Sequence, residues 1–304
     1  MQTTRREFLR AGAVLATGAA AGCSSLQHSG SPFGARPQVG TQLFGWGQYY
    51  QREGRKIADH YPEVLSAVRD CGFDYAETSL NLSSPENSAK FAEIARTKGL
   101  GVACFYTGPA FHEAKVAEQA VVQVVAAARA VKPFGTRVIN CNPAPIGREK
   151  TDAELQTQAH ALTELGQGLN ALGLKLGVHN HTPEMKNGAR EFRHNFDATP
   201  PERVGFCFDV HGVFRGGVPP LDALIDYGDR IVSWHLRQSR DAIWFEELTF
   251  GDIDYGAVAI YARANKLPAL YTVELAIENG TKITRSVVEN HRRSREYVRK
   301  IFGV

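Results

Sequence analysis

Phe208-Asp209-Val210-His211 closes a short apolar run that opens at Val204, and three other runs close in the same way. Val178 leads into His179-Asn180-His181, Ser233-Trp234 into His235-Leu236-Arg237, and Val273 into Glu274. Runs this short, each ending on ionisable side chains, read as parallel strands that deliver their functional groups to one rim of a (βα)8 barrel. A His, Asp, His and Glu set with mixed nitrogen and oxygen donors suits a single divalent cation.

Working outward, strand-like runs recur at Val39 to Phe44, Tyr75 to Thr78, Gly101 to Tyr106, Arg137 to Asn140, Leu174 to Val178, Val204 to Asp209, Ile231 to Leu236 and Leu270 to Glu274. Segments of helical periodicity alternate with them: Ile57 to Arg69, Ser88 to Lys98, Glu113 to Val131, Asp152 to Leu172, a weaker one near Arg190 to Asn195, Pro220 to Tyr227, Tyr255 to Asn265, and Lys282 to Ile301. Short strand then helix, repeated, demands parallel strands with right-handed crossovers. The competing architecture, a doubly wound open sheet, wants a glycine-rich phosphate loop after its first strand, and Leu43-Phe44-Gly45-Trp46-Gly47-Gln48 is not one. The fold class predicted is α/β, a single (βα)8 TIM barrel.

The segments predicted are a leader (1–23), a Ser, Gly and Pro-rich linker (24–38) and a catalytic barrel (39–304). Thr3 to Arg10 carries paired arginines followed by Phe-Leu, and a weakly apolar stretch then runs from Ala11 to Ala21. This resembles a twin-arginine export signal, which predicts the export machinery as a partner and a periplasmic address. Cys23 after Ala-Ala-Gly also resembles a lipoprotein cleavage site; lipid on Cys23 would anchor the protein to the membrane, whereas cleavage near Ala21 would release it. About 265 residues remain for the barrel, close to the usual size of one. At 43% hydrophobic and 22% charged residues there is ample material for a core. The net charge of +3 is small, and Arg292, Arg293, Arg295, Arg299 and Lys300 gather on the last helix, so a solvated helix face is favoured over a nucleic-acid surface. Cys71, Cys104, Cys141 and Cys207 have no CxxC spacing and read as buried thiols.

Strand alternation places His179 with His181, Asp209 with His211, and His235 with Arg237 on shared faces, so that one of each pair ligates and the next meets substrate. Any one of these histidines alone would more simply be a hydrogen-bonded structural group; four strands converging together is harder to explain that way. Trp46, Phe105 and Tyr106, at strand ends, are candidate apolar walls for a bound ligand, with ordinary core packing as the alternative.

From about Gly40 to Phe302 the chain resembles the xylose isomerase-like barrel superfamily of sugar isomerases and epimerases, which includes inosose dehydratases and endonuclease IV. The likeness rests on His179-Asn180-His181, on Phe208-Asp209-Val210-His211 with Arg215-Gly216-Gly217, on Trp234-His235-Leu236-Arg237, and on Gly251-Asp252-Ile253-Asp254-Tyr255 before Val273-Glu274. It implies one divalent metal, its identity open among Mn, Co, Zn, Fe and Mg, held by Asp209, His235 and Glu274 with His179 at the position where those isomerases carry Glu. His179 resembles an HNH-type branch in which Glu184 follows. With only Asp209 and Glu274 as anionic ligands a dication is formally neutralised and not overcompensated, which strengthens it as a Lewis acid. The change also removes one carboxylate of the usual proton shuttle.

The resemblance implies a small-molecule sugar substrate, a ketose or keto-sugar, and proton abstraction next to its carbonyl. Glu184, His181 and Glu274 are the expected proton-transfer groups, with Glu77 a weaker candidate, and Trp46, Glu77, Tyr106, His211, Arg215 and Arg237 the expected substrate contacts. Isomerisation or epimerisation is the first reading and elimination from a 3-keto-glycoside or inosose the second. A repair nuclease is disfavoured, since its cluster needs further ligands and a basic face, and nucleic acid is not expected as a partner. A non-catalytic sugar-binding lipoprotein is the alternative from another class.

Overall fold

Strands β1 (Gln38–Gln42), β2 (Tyr75–Ser79), β3 (Cys104–Thr107), β4 (Val138–Cys141), β5 (Lys175–Val178), β6 (Val204–Asp209), β7 (Ile231–Leu236) and β8 (Leu270–Val273) pair in parallel, and β1 closes the barrel against β8. The computed structural model describes residues 36–304. The predicted export signal (1–23), with Cys23, and nearly all of the predicted linker lie outside the described residues. Around the barrel run α1 (Leu43–Arg52), α2 (Tyr61–Asp70), α3 (Pro85–Thr97), α4 (Ala114–Val131), α5 (Asp152–Ala171), α6 (Lys186–Asp197), α7 (Val210–Arg215), α8 (Pro220–Tyr227), α9 (Tyr255–Ala264) and α10 (Val287–Phe302). Among the described residues no helix is long and apolar enough to cross a membrane.

Local chemistry explains the boundaries. Thr151 caps α5 and Glu154 reaches back to its backbone, a reciprocal capping box. Pro62 at the first helical positions of α2 splits the segment predicted as one helix into a 3₁₀ turn, Ile57–His60, and α2. Helix α1 replaces the end of the predicted first strand. Its Gly45 and Gly47 lower helix propensity and hide it from a periodicity argument. Gly45 is needed for contact, because a Cβ there would lie 1.7 Å from the Leu275 carbonyl oxygen.

The apolar core lies between the outward faces of the strands and the helices, while the inside of the barrel is unusually polar towards its upper end. Tyr75 fills the lower interior and hydrogen-bonds the Tyr271 carbonyl (2.9 Å) and Thr272 Oγ1 (2.8 Å). Gly177 leaves room there for Asn140, whose Oδ1 would lie 2.7 Å from an added Cβ. The four predicted cysteines are all buried and free.

Trp46 is a correction: it sits in α1 with 1% of its surface exposed, its ring 4.5 Å from that of His291 on α10, so it belongs to the core and not to a substrate wall. Phe105 is core as well, edge-on to Phe91. His291 is fully buried, and desolvation pushes its pKa down to about 4, against about 6.5 in an unfolded chain. As pH falls from about 6.5 to about 4, the unfolded chain takes up a proton that the folded ring refuses, so about 3 kcal/mol of stability present above that window is lost across it. In His291→Gln, the stability difference between pH 7 and pH 4.5 should shrink by about 2 kcal/mol in denaturant titrations; an unchanged difference would remove His291 from the acid limb.

Candidate active site

Register delivers the site. Asp209 pairs with His235 across β6 and β7, and His235 pairs with Thr272 across β7 and β8. The His179 amide continues the ladder onto the Cys141 carbonyl and the Glu274 amide onto that of Leu236. Asp209 then caps α7: its Oδ1 accepts from the amides of His211 and Gly212, both at 2.9 Å, which leaves Oδ2 facing inward. Because the helix begins at Val210, strand alternation stops there, and His211 does not share the face of Asp209 as the sequence suggested.

Three donor atoms, one each from His179, His235 and Glu274, lie within 4.8 Å of one another, all buried. His235 Nδ1 is 2.8 Å from Glu274 Oε2 and 3.1 Å from His179 Nε2. Asp209 Oδ2 stands 3.4 Å from His179 Nε2, as a fourth group beside the three. Ligands sharing a cation at bonds of about 2.0–2.2 Å are spaced at about 3 Å, the spacing of His235 Nδ1 from both of its neighbours. On its other side His235 Nε2 is 2.9 Å from Glu77 Oε1, off the N–H direction, so this is an ion-pair distance without hydrogen-bond geometry. Glu77 Oε2 accepts from Asn140, and Asn140 Oδ1 accepts from Ser233. A carboxylate behind a ligating imidazole is the support that orients such a ligand.

Arg237 adds a cation at the same place. Its Nη2 is 3.2 Å from Glu274 Oε2 and 3.6 Å from Asp209 Oδ2, with the guanidinium 4.3 Å from the ring centre of Trp244. Glu77, Asp209 and Glu274 are three buried carboxylates against one guanidinium, a deficit of two positive charges. A proton on His235 fills half of it and a dication fills all of it. The charge count from sequence, which took Asp209 and Glu274 alone, omitted both Glu77 and Arg237. Spacing, supporting carboxylate and charge therefore all fit a divalent cation held by His179, His235 and Glu274, with Asp209 alongside.

The protein groups perturb one another accordingly. Burial works against a charged His235, but Cys207, Glu77 and Glu274 outweigh it and hold the ring well above the usual histidine range. Burial, then the neighbouring His181 and His235, keep His179 well below that range. Glu274 resists burial and is held well below the usual carboxylate range by Arg237 and His235, whereas burial raises Asp209.

A cleft of about 700 Å³ opens above these groups, lined by His181, Glu274 and Tyr106 and, on its far side, by the start of α1. Tyr106 meets His179 edge-on at 5.4 Å, and burial followed by the Glu274 charge keeps its phenol protonated. The other expected contacts are placed differently. Glu77 is buried beneath His235 and is corrected from substrate contact to support. Glu184 does not line the cleft: Oε2 accepts from the His181 amide (2.8 Å) and Oε1 from Asn142 (3.3 Å), so it positions His181. His211 lies in a buried pocket 6.2 Å from Trp244, where desolvation, then Arg237 and Arg215, push its pKa down to about 3. Arg215 pairs with Glu278 at 2.9 Å and stands 5.4 Å from the Trp244 ring.

The site also contains residues that strand endings do not reveal. Trp244 belongs to a hairpin, Ser239–Arg240 with Ile243–Trp244, that follows β7 and folds over Arg237. A second Trp shortly after Trp234 and His235 was the signal available. Gln48 clamps the Ile277 backbone by two 2.8 Å hydrogen bonds, tying α1 to the loop after Glu274.

Comparison with known proteins agrees with the barrel fold. The family model described as xylose isomerase-like TIM barrel matches residues 65–301. The chain belongs to that family. Within it, the inosose dehydratase of Geobacillus kaustophilus is 24% identical over 200 residues, 60% of this chain; the match spans 64% of that relative's length. The D-allulose 3-epimerase of Methylomonas sp., solved with D-allulose, superposes at a TM-score of 0.72 with 12% identity, over 88% of this chain and 98% of the other. The 3-keto-D-glucoside 4-epimerase of E. coli gives 0.64 with 15% identity, over 87% and 100%. This xylose isomerase-like barrel thus shares its fold with sugar epimerases and part of its sequence with a dehydratase.

Proposed function

We propose that the protein is a divalent-metal-dependent keto-sugar epimerase or isomerase, working by proton transfer at the carbon next to a carbonyl. The observation that carries the reading is the meeting, in one cleft, of His181 and Glu274 above the buried His179, His235 and Glu274 donors. His179, His235 and Glu274 would hold a divalent cation there, which would supply Lewis-acid chemistry to a bound carbonyl and make the adjacent C–H bond more acidic. Glu274, held ionised by Arg237 and His235, lines the cleft just beyond the end of β8 and takes the proton. A protonated His181, half-buried at the cleft and held by Glu184 through its amide, returns a proton to the substrate, and exchange with water restores both groups before the next turnover. Return to the other face of the same carbon gives epimerisation; return to the neighbouring carbon gives isomerisation. Arg237 balances the negative charge that develops on the carbonyl oxygen, and the protonated Tyr106 phenol is available to hydrogen-bond a sugar hydroxyl.

Elimination is the second reading. It is favoured by Glu184, whose two oxygens are engaged away from the cleft and leave a single carboxylate, Glu274, for the shuttle. The relatedness to an inosose dehydratase supports it as well. The twin-arginine resemblance of Thr3 to Ala21 extends the proposal to a periplasmic enzyme acting on an exported or environmental sugar.

The test is incubation of metal-loaded protein with ketoses and 3-keto-glycosides in deuterated water, followed by NMR. One deuterium at a stereocentre next to the carbonyl, in a product of unchanged composition, is expected, with the reaction lost on chelation. A product lacking its β-substituent would establish the lyase instead. No deuterium uptake and no product with any of these sugars would sink both readings.

A further inference from the structure

We propose that the outer half of the cleft is a second sugar subsite, so that the substrate is an uncharged keto-glycoside with a second ring attached. The proposal rests on the function proposed above and names its substrate class. Volume is the first argument. Sites of about 300–1,000 Å³ take ligands of drug size, larger than a single pyranose ring. The cleft, at about 700 Å³, therefore has room for a second ring beyond the one placed over Glu274 and His181.

Lining chemistry is the second argument. Phe44, at the start of α1, is 54% exposed, although it is a large apolar side chain next to the buried Leu43. The Gln42 side chain caps the Phe44 amide and fixes the turn that presents it. An exposed, held aromatic face at the mouth of a polar cleft is a platform for the apolar C–H face of a sugar ring. Tyr61, edge-on to Phe91 at 4.8 Å, lines the same wall. Gln51, Ser79 and Asn81 supply amides and hydroxyls at the outer edge. The Asn81 carbonyl is occupied by Ser83 and the Ser84 amide, which turns its NH₂ group into the donor left for a ligand. Among the described residues no lysine or arginine lines the cleft, so the second unit is neutral and not a phosphate. Arg148, Lys150 and Arg190 line a separate space of about 120 Å³ and are each paired there with a carboxylate, Glu154, Glu191 and Asp152 respectively.

The deciding experiment compares binding of a 3-keto-disaccharide, the matching 3-keto-monosaccharide and its phosphate ester by calorimetry, on wild type, Phe44→Ala and Gln51→Ala. Phe44 and Gln51 are exposed, so truncating them leaves the core untouched. The disaccharide is expected to bind wild type about tenfold or more tightly than the monosaccharide, and Phe44→Ala to erase that advantage while monosaccharide binding stays the same. Equal binding of the two neutral sugars, or an advantage that survives Phe44→Ala, would overturn the second subsite and leave the keto-sugar reading standing. Tighter binding of the phosphate ester would overturn the neutral ligand. Binding of none of the three would overturn the subsite and the keto-sugar reading together.

Discussion

Glu274→Gln should lower kcat/KM for a keto-sugar by about a thousandfold while leaving the fold intact. Three roles meet on this side chain. It lines the cleft beside His181, its Oε2 is the oxygen 2.8 Å from His235 Nδ1, and the same oxygen pairs with Arg237 at 3.2 Å. Glutamine keeps the volume and loses the charge, so packing survives and proton transfer does not. A positioned acid or base alone is worth about 10²–10⁴-fold, and the lost ligand charge adds to that. Asp209→Asn is the informative companion. An asparagine oxygen can still accept from the His211 and Gly212 amides and so keep α7 capped, while its NH₂ group faces the Arg237 cation and His179. Both variants should show native circular dichroism, less than one bound metal per chain after reconstitution, and turnover close to background. Activity above a tenth of wild type in Glu274→Gln would remove Glu274 from the reaction.

That the barrel was legible while the cleft wall was not has a physical reason. Parallel strands buried on both faces write themselves as apolar runs, and β6 and β7 have the predicted bounds residue for residue. The ends of these runs also placed His179, Asp209, His235 and Glu274 together, because adjacent parallel strands in register put their last residues side by side. Periodicity failed wherever the chain leaves a strand and turns at once. Helix α1 carries Gly45 because it packs there against the Leu275 backbone, and α7 starts on the residue after Asp209. Both events rotate side chains away from the face that strand alternation assigns. So Trp46 goes into the core, Phe44 comes out to the cleft, and His211 turns behind Trp244. Glu77 was found as a residue but misjudged as a substrate contact, and the pairing of Arg237 with Asp209 and Glu274 was not foreseen, since a sequence shows that a strand ends in charge and not which charge it meets across the barrel.

Arg237→Met should unfold more easily than wild type when stripped of metal, by about 3–5 kcal/mol, the usual cost of leaving one side of a buried ion pair without its partner. For a domain of this size that lowers Tm by roughly 10 °C. The buried guanidinium is the only arginine or lysine paired with Asp209 or Glu274 among the described residues, and Trp244 covers it. Lysine is not expected to substitute fully, because the stacked guanidinium reaches both carboxylates from one planar group and an ammonium on a flexible stem does not. The test lies in the metal dependence. If the carboxylates are built to leave a deficit of two charges that a dication fills, then adding a divalent ion should raise the Tm of Arg237→Met more than that of wild type, since the ion then faces carboxylates that no arginine has already neutralised. Equal Tm for the two stripped proteins, or an equal rise on adding metal, would mean that Arg237 and the cation site do not share their charge. The same measurement separates two roles that the distances alone leave joined. A guanidinium kept only to stabilise the barrel would make metal-loaded Arg237→Met both stable and active, whereas one that also balances charge on the substrate oxygen would make it stable and slow.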